Sequence, residues 1–113
     1  MHEMSIAERV VQMLEEQALV QRYSRVKRVW LEIGPLAAVE PESLRFCFDA
    51  VTRGTLAEQA QLDIIELPGE ARCQDCGAGV PITQRYDSCA DCGSYRLQLT
   101  RGDELRIKEL EVE

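Results

Sequence analysis

Two cysteine knuckles of the same form, Cys73-Gln74-Asp75-Cys76-Gly77 and Cys89-Ala90-Asp91-Cys92-Gly93, stand twelve residues apart in the chain. A CxxC turn can aim two thiolates at one ion, and zinc favours four soft or borderline ligands in a tetrahedron. The glycine after each second cysteine lets the backbone turn tightly, so that amides can point back at the sulfurs. Two such turns facing each other close an all-cysteine site with no open coordination position. A closed site is structural, so Cys73, Cys76, Cys89 and Cys92 are expected to hold one structural Zn(II). Any activity has to come from elsewhere in the chain.

Other uses of the cysteines fit less well. A redox CxxC pair opens a helix after a strand, but Gly77, Gly79 and Pro81 follow the first pair and disfavour a helix there. An iron–sulfur centre is a further alternative. Disulfides are disfavoured too: Glu3, Glu8 and Arg9 interrupt any apolar run at the start, so no signal peptide is read. A cytoplasmic protein with reduced thiols is expected. Cys47, between Phe46 and Phe48, reads as a core residue.

A ribbon of about 30 residues cannot build a core of its own and typically needs its metal to fold. Structural zinc contributes on the order of 10–16 kcal/mol in small peptides near neutral pH. The rest of the 113-residue chain is one small domain. No stretch approaches the ~18 apolar residues of a membrane span. The net charge of −7, from 20 acidic and 13 basic side chains, argues against nucleic acid as a partner. Within residues 69–100 there are three arginines against four carboxylates, and only Arg25, Lys27 and Arg28 make a local basic cluster. An acidic surface fits a protein that meets other proteins or metal cations.

Helical spacing of Ile6, Ala7, Val10, Val11, Met13, Leu14 and Ala18 predicts a helix over 4–22, with Ser5 and Glu8 as a capping box. Alternation of Val29, Leu31 and Ile33 with Arg28, Trp30 and Glu32 predicts a strand over 26–33, ended by Gly34-Pro35. Pro41 can open a second helix whose apolar face holds Leu44, Cys47, Phe48 and Val51, with Gly54 as its C-terminal cap. Strands follow over 62–67 and 104–113, the latter changing phase between Ile107 and Leu110. The expected fold is therefore α+β: two helices on a small three-stranded sheet, with a four-cysteine zinc-ribbon module inserted. The domain boundaries expected are 1–69 with 101–113, and 70–100 for the ribbon.

The sole histidine of the chain is His2. Met1 is expected to be retained, because a bulky residue follows it. Its α-amino group, the amide nitrogen of His2 and the imidazole Nδ1 can then form fused chelate rings around one ion. An array of nitrogens suits square-planar Ni(II) or Cu(II). Glu3 adds a carboxylate or another amide nitrogen at the same place. With few ligands and an exposed position, such a site suits reversible binding, as a carrier needs.

Met1-His2-Glu3-Met4-Ser5 and the paired CxxC knuckles together resemble the HypA/HybF family of nickel metallochaperones in hydrogenase maturation. The resemblance covers essentially the whole chain, including Ile33-Gly34 and Ser43-Leu44-x-Phe46-x-Phe48. It implies that Ni(II) is carried by His2 with nearby backbone nitrogens and Glu3, beside a structural Zn(II) ribbon. A carboxylate early in the second-helix region, here Glu40, has been linked to the nickel site in this family. The resemblance also implies partners: a HypB-type GTPase, the [NiFe]-hydrogenase large subunit precursor and, for some members, urease maturation proteins. Neither nucleic acid nor membrane is expected, and a homodimer is left open. Histidines found in the ribbon of some relatives are absent here.

Three other function classes compete with a nickel carrier. A zinc-stapled interaction adaptor without a nickel site would keep zinc as its only metal. An enzyme lacks support: there is no second histidine to act as base, no phosphate-cradling glycine loop and no open zinc position. A nucleic-acid-binding ribbon conflicts with the charge.

Overall fold

The computed structural model of the chain describes residues 2–113. Met1, expected to contribute its amine to a nickel site, lies outside the described residues. The element order is α1 (His2–Gln21), β1 (Val26–Ile33), a single 3-10 turn (Pro35–Ala37), α2 (Pro41–Val51), β2 (Gln61–Glu66), β3 (Gly69–Cys73), β4 (Gly79–Ile82), β5 (Leu97–Arg101) and β6 (Leu105–Val112). This is the expected α+β arrangement, with two three-stranded sheets, β2-β1-β6 and β4-β3-β5. By its contacts the chain resolves into two compact units. One comprises Met1–Leu31, Val39–Ile64 and Ile107–Glu113; the other comprises Glu32–Ala38 and Ile65–Arg106.

In the first unit α1 packs on α2. Ala7, Val10, Val11 and Leu14 recur at helical spacing and form the buried stripe of α1. Leu44 and Phe48, one turn apart, do the same for α2. Val26, Val29 and Leu31 of β1 complete the core with Ala57 and Leu62. The Tyr23 hydroxyl donates to the Leu14 carbonyl at 2.7 Å, and burial raises its pKa.

Most predicted ends hold to within a residue; the larger shifts are at the start of α1 and the end of α2. The helix begins at His2 rather than at residue 4, so Ser5 and Glu8 lie inside it and form no capping box at its start. The early start coincides with Glu3 in the first turn, where a carboxylate favours the positive end of a helix. The cap of α2 is Thr52, whose N–H reaches the Phe48 carbonyl at 3.0 Å, and Gly54 follows two residues later at φ +77°. The start of α2 is as expected: Pro41 occupies the first turn and Glu40 caps it, its Oε1 accepting from the Glu42 N–H at 2.9 Å. Cys47 is half-buried rather than fully buried.

Strand directions follow from hydrogen bonds at the strand ends. Arg28 meets Asp63 and the Ile33 carbonyl accepts from the Leu67 N–H, so β1 and β2 run the same way. Glu113 pairs with Arg25 and Glu104 with Gly34, so β6 runs against β1. The small basic cluster anticipated at 25–28 is largely paired. Arg28 bonds Asp63 and lies 4.7 Å from the Trp30 ring centroid, while Lys27 reaches Glu111 at 3.8 Å.

In the second unit β3 is the middle strand, antiparallel to both β4 and β5, with a register shift between Glu70 and Ala71 on the β5 side. Its core is small: Leu36, Ala71, Val80 and Ile82, with the two buried cysteines Cys73 and Cys89. Gly34 and Gly102 meet so closely here that a Cβ on Gly34 would lie 2.1 Å from the Gly102 carbonyl oxygen.

Candidate metal centres

Each cysteine knuckle is a turn stitched by its own backbone. The N–H of Gly77 reaches the Cys73 carbonyl at 2.9 Å, and that of Gly93 reaches the Cys89 carbonyl at 2.8 Å. Both glycines sit at φ +78°, where a Cβ would be strained. The turn is then closed outward: the Cys73 N–H bonds the Ala78 carbonyl, and the Cys89 N–H bonds the Ser94 carbonyl. The two knuckles are thus built alike, one at the end of β3 and the other in the β4–β5 connection.

The four sulfurs converge. All lie within 4.8 Å of one another, with Cys73 and Cys89 buried and Cys76 and Cys92 exposed. The Cys73–Cys92 and Cys76–Cys89 sulfur separations are 3.6 and 3.7 Å. A zinc ion at about 2.3 Å from four tetrahedral sulfurs requires separations of about 3.8 Å. The donor set and its spacing therefore fit zinc.

The electrostatics point the same way. N–H groups of Cys76 and Asp75 aimed at the Cys73 sulfur pull its thiol down to about 6, against burial. Cys92 receives the Ser94 N–H, which pulls it down, but its contact with Cys73 and its desolvation push it up to about 12. Cys76 is held down by the Ala78 N–H, yet burial and the neighbouring thiols raise it overall. Cys76 and Cys92 thus resist losing their protons beside the other sulfurs. Four thiolates at this spacing need a cation among them.

The N-terminal candidates are arranged differently. His2 opens α1 and is exposed, and Glu3 follows half-buried in the first turn. The carboxylate Oε2 of Glu3 accepts the backbone N–H of Glu40 at 3.1 Å. That bond is the main reason its pKa lies below the usual carboxylate range; its own N–H and the nearby His2 act in the same direction. Glu40 is thereby brought beside Glu3, while its own carboxylate is engaged in capping α2. Among the described residues, the one cluster of metal-ligating side chains is the four-cysteine group.

The resemblance associated Glu40 with the N-terminal site, but the backbone bond from Glu40 to Glu3 across 37 residues was not foreseen, nor was a ring of contacts around Asp75. The Asp75 carboxylate accepts from the Ser94 hydroxyl at 2.5 Å and from Arg96 Nη1 at 2.6 Å. The knuckle motif itself shows an aspartate at this place in both turns, but gives no sign of which one is bonded. No helix of the described residues is long and apolar enough to cross a membrane.

Comparison with known proteins bears on the whole chain. The family model described as "Hydrogenase/urease nickel incorporation, metallochaperone, hypA" matches residues 1–112. Similar curated proteins include the hydrogenase maturation factor HypA of Azotobacter chroococcum mcd 1, 74% identical over 113 residues with both chains fully covered. That of Azotobacter vinelandii is 69% identical, again over the full length of both. Among solved structures, the Ni metallochaperone HypA from Helicobacter pylori superposes with a TM-score of 0.71 at 26% identity, covering 97% of this chain and 96% of that one.

Proposed function

The chain belongs to the HypA family of nickel metallochaperones for hydrogenase and urease nickel incorporation, and from that premise we propose that it binds Ni(II) at its N-terminus and delivers it during maturation of the [NiFe]-hydrogenase large subunit precursor. A member of this family is a maturation factor, not an enzyme. In this reading Ni(II) is cargo, held by His2 Nδ1, the amide nitrogens of His2 and Glu3, and the Met1 amine. Zn(II) is resident, held by Cys73, Cys76, Cys89 and Cys92. Cargo falls to residues 1–69 with 101–113 and the staple to the ribbon at 70–100, working in the cytoplasm.

The observation that carries the nickel site is the placement of His2 and Glu3 in the first turn of α1, with Glu3 tied to the start of α2 through Glu40. The link holds the chain start against a packed element rather than leaving it as a loose tail. Only a neutral imidazole donates a lone pair, so protonation of His2 releases the cargo. The partners in this proposal are a HypB-type GTPase and the large subunit precursor, with urease maturation proteins left open as the resemblance left them. A homodimer is compatible with the same scheme.

A Ni(II) titration of zinc-loaded protein with its native N-terminus, run beside His2→Gln, tests the assignment. One nickel per chain, lost in His2→Gln with zinc retained, is expected. Equal binding by both proteins, or by neither, would leave a zinc-stapled adaptor as the better account.

A further inference from the structure

The two knuckles carry an aspartate at the same place, Asp75 and Asp91, but the structure treats the two differently. Asp75 Oδ2 accepts the Ser94 hydroxyl at 2.5 Å, and its Oδ1 accepts Arg96 Nη1 at 2.6 Å. Around this pair the chain closes a ring. The Arg96 N–H donates to Ser94 Oγ at 3.0 Å, and the Arg96 carbonyl accepts the Gln74 N–H at 2.8 Å. The side chain of Asp91 makes no hydrogen bond or ion pair among the described residues.

Ser94 is the hub of the second knuckle. Its carbonyl accepts the Cys89 N–H at 2.7 Å and its own N–H points at the Cys92 sulfur. Asp75 in turn directs its backbone N–H at the Cys73 sulfur. The Asp75–Ser94 bond therefore joins a group touching a first-knuckle sulfur to the residue that holds both second-knuckle cysteines. The position equivalent to Ser94 in the first knuckle is Ala78, whose carbonyl takes the Cys73 N–H but which has no hydroxyl. A reciprocal bond from Asp91 cannot form, so the cross-link exists on one side only.

We propose that Asp75 is a positioning residue that locks the second knuckle onto the first through Ser94 and Arg96, and so sets how slowly the four-cysteine site gives up its zinc. The inference rests on the reading that these cysteines hold zinc. Outer groups that orient metal ligands typically govern 10–100-fold in metal affinity. The exposure of the Asp75–Arg96 ion pair places the effect at the lower end of that range.

Zinc release from full-length protein to an excess of the chromogenic chelator 4-(2-pyridylazo)resorcinol reads the lock directly. Asp75→Ala and Ser94→Ala should each release zinc about 10-fold faster than wild type, and the double variant no faster than either alone. Asp91→Ala should keep the wild-type rate. Asp75→Asn, whose amide oxygen still accepts the Ser94 hydroxyl, should fall between wild type and Asp75→Ala. Cobalt-loaded Asp75→Ala should retain the absorption bands of a tetrahedral four-thiolate site, which separates a loosened lock from an unfolded ribbon. Wild-type release in Asp75→Ala, equal acceleration in Asp91→Ala, additive effects in the double variant, or loss of the cobalt bands would each overturn the proposal. A wild-type protein with no bound zinc would instead overturn the zinc reading beneath it.

Discussion

The four-cysteine centre and the N-terminal start of α1 prepare for a metal in opposite ways. The cysteine centre is closed and partly buried: its sulfurs lie within 4.8 Å of one another, two of the four cysteines are buried, and backbone N–H groups are aimed at the sulfurs. His2 is exposed, and Glu3 spends its carboxylate on holding a backbone N–H of Glu40. A closed four-thiolate site retains its ion, because release must break the knuckles. A short run of ligands on an exposed terminal turn lets an ion come and go. On the proposed reading, one small chain separates a metal that belongs to its fold from a metal that passes through it.

The largest test of this contrast is removal of the staple. Cys73→Ser, or exhaustive chelation under reducing conditions, should unfold the second unit and abolish amide-exchange protection in β3, β4 and β5. Structural zinc contributes on the order of 10–16 kcal/mol in small modules, more than the few apolar residues around Ala71 and Val80 supply. Helical circular dichroism from α1 and α2 should largely persist, since their core contains no cysteine ligand. Loss of both signals together would mean that the two units do not stand on separate foundations.

Leu14→Ala attacks the other side. Leu14 is fully buried in α1, and its truncation should cost ~2–5 kcal/mol in denaturant unfolding. Zinc stoichiometry should be unchanged. Gly34→Ala comes next, at ~1–3 kcal/mol, because the added methyl would collide with the Gly102 backbone. Thermal unfolding of the variant against wild type measures it.

The smallest effect is electrostatic. The N–H groups of Thr83 and Gln84 hold the Asp87 carboxylate below its ordinary pKa. A depressed carboxylate stabilises the folded state above its unfolded pKa, and that stability is lost as pH falls through the folded value. Asp87→Asn should lower the stability of the zinc-loaded protein slightly at neutral pH. It should also flatten the acid limb of the stability profile, as followed by thermal unfolding across pH.

The fold was legible where a pattern is local. The stripe from Ala7 to Leu14, the alternation of Val29, Leu31 and Ile33, and the Pro41 helix start each depend on neighbours within a turn or two. The cysteine centre was legible because its spacing repeats. The helix start was misplaced because Ser5 and Glu8 fit a cap, whereas the chain continues its helix back to His2. The backbone bond from Glu40 to Glu3 and the Asp75–Ser94 bond could not be read from local pattern, since both join residues 19 or more positions apart and involve common surface side chains; only the family resemblance put Glu40 near the N-terminus. Nothing in Gln74-Asp75 against Ala90-Asp91 says which aspartate will find a partner; that depends on whether Ser94 or Ala78 stands across from it.

The central claim, one resident metal and one passing metal, is tested most directly by loading the full-length protein with both ions and challenging it with a competing chelator. Retained nickel and zinc are followed in the same samples by mass spectrometry. The account predicts that nickel leaves first and completely while one zinc per chain stays, and that His2→Gln begins with zinc alone. Zinc leaving with or before nickel, or nickel remaining in His2→Gln, would contradict it.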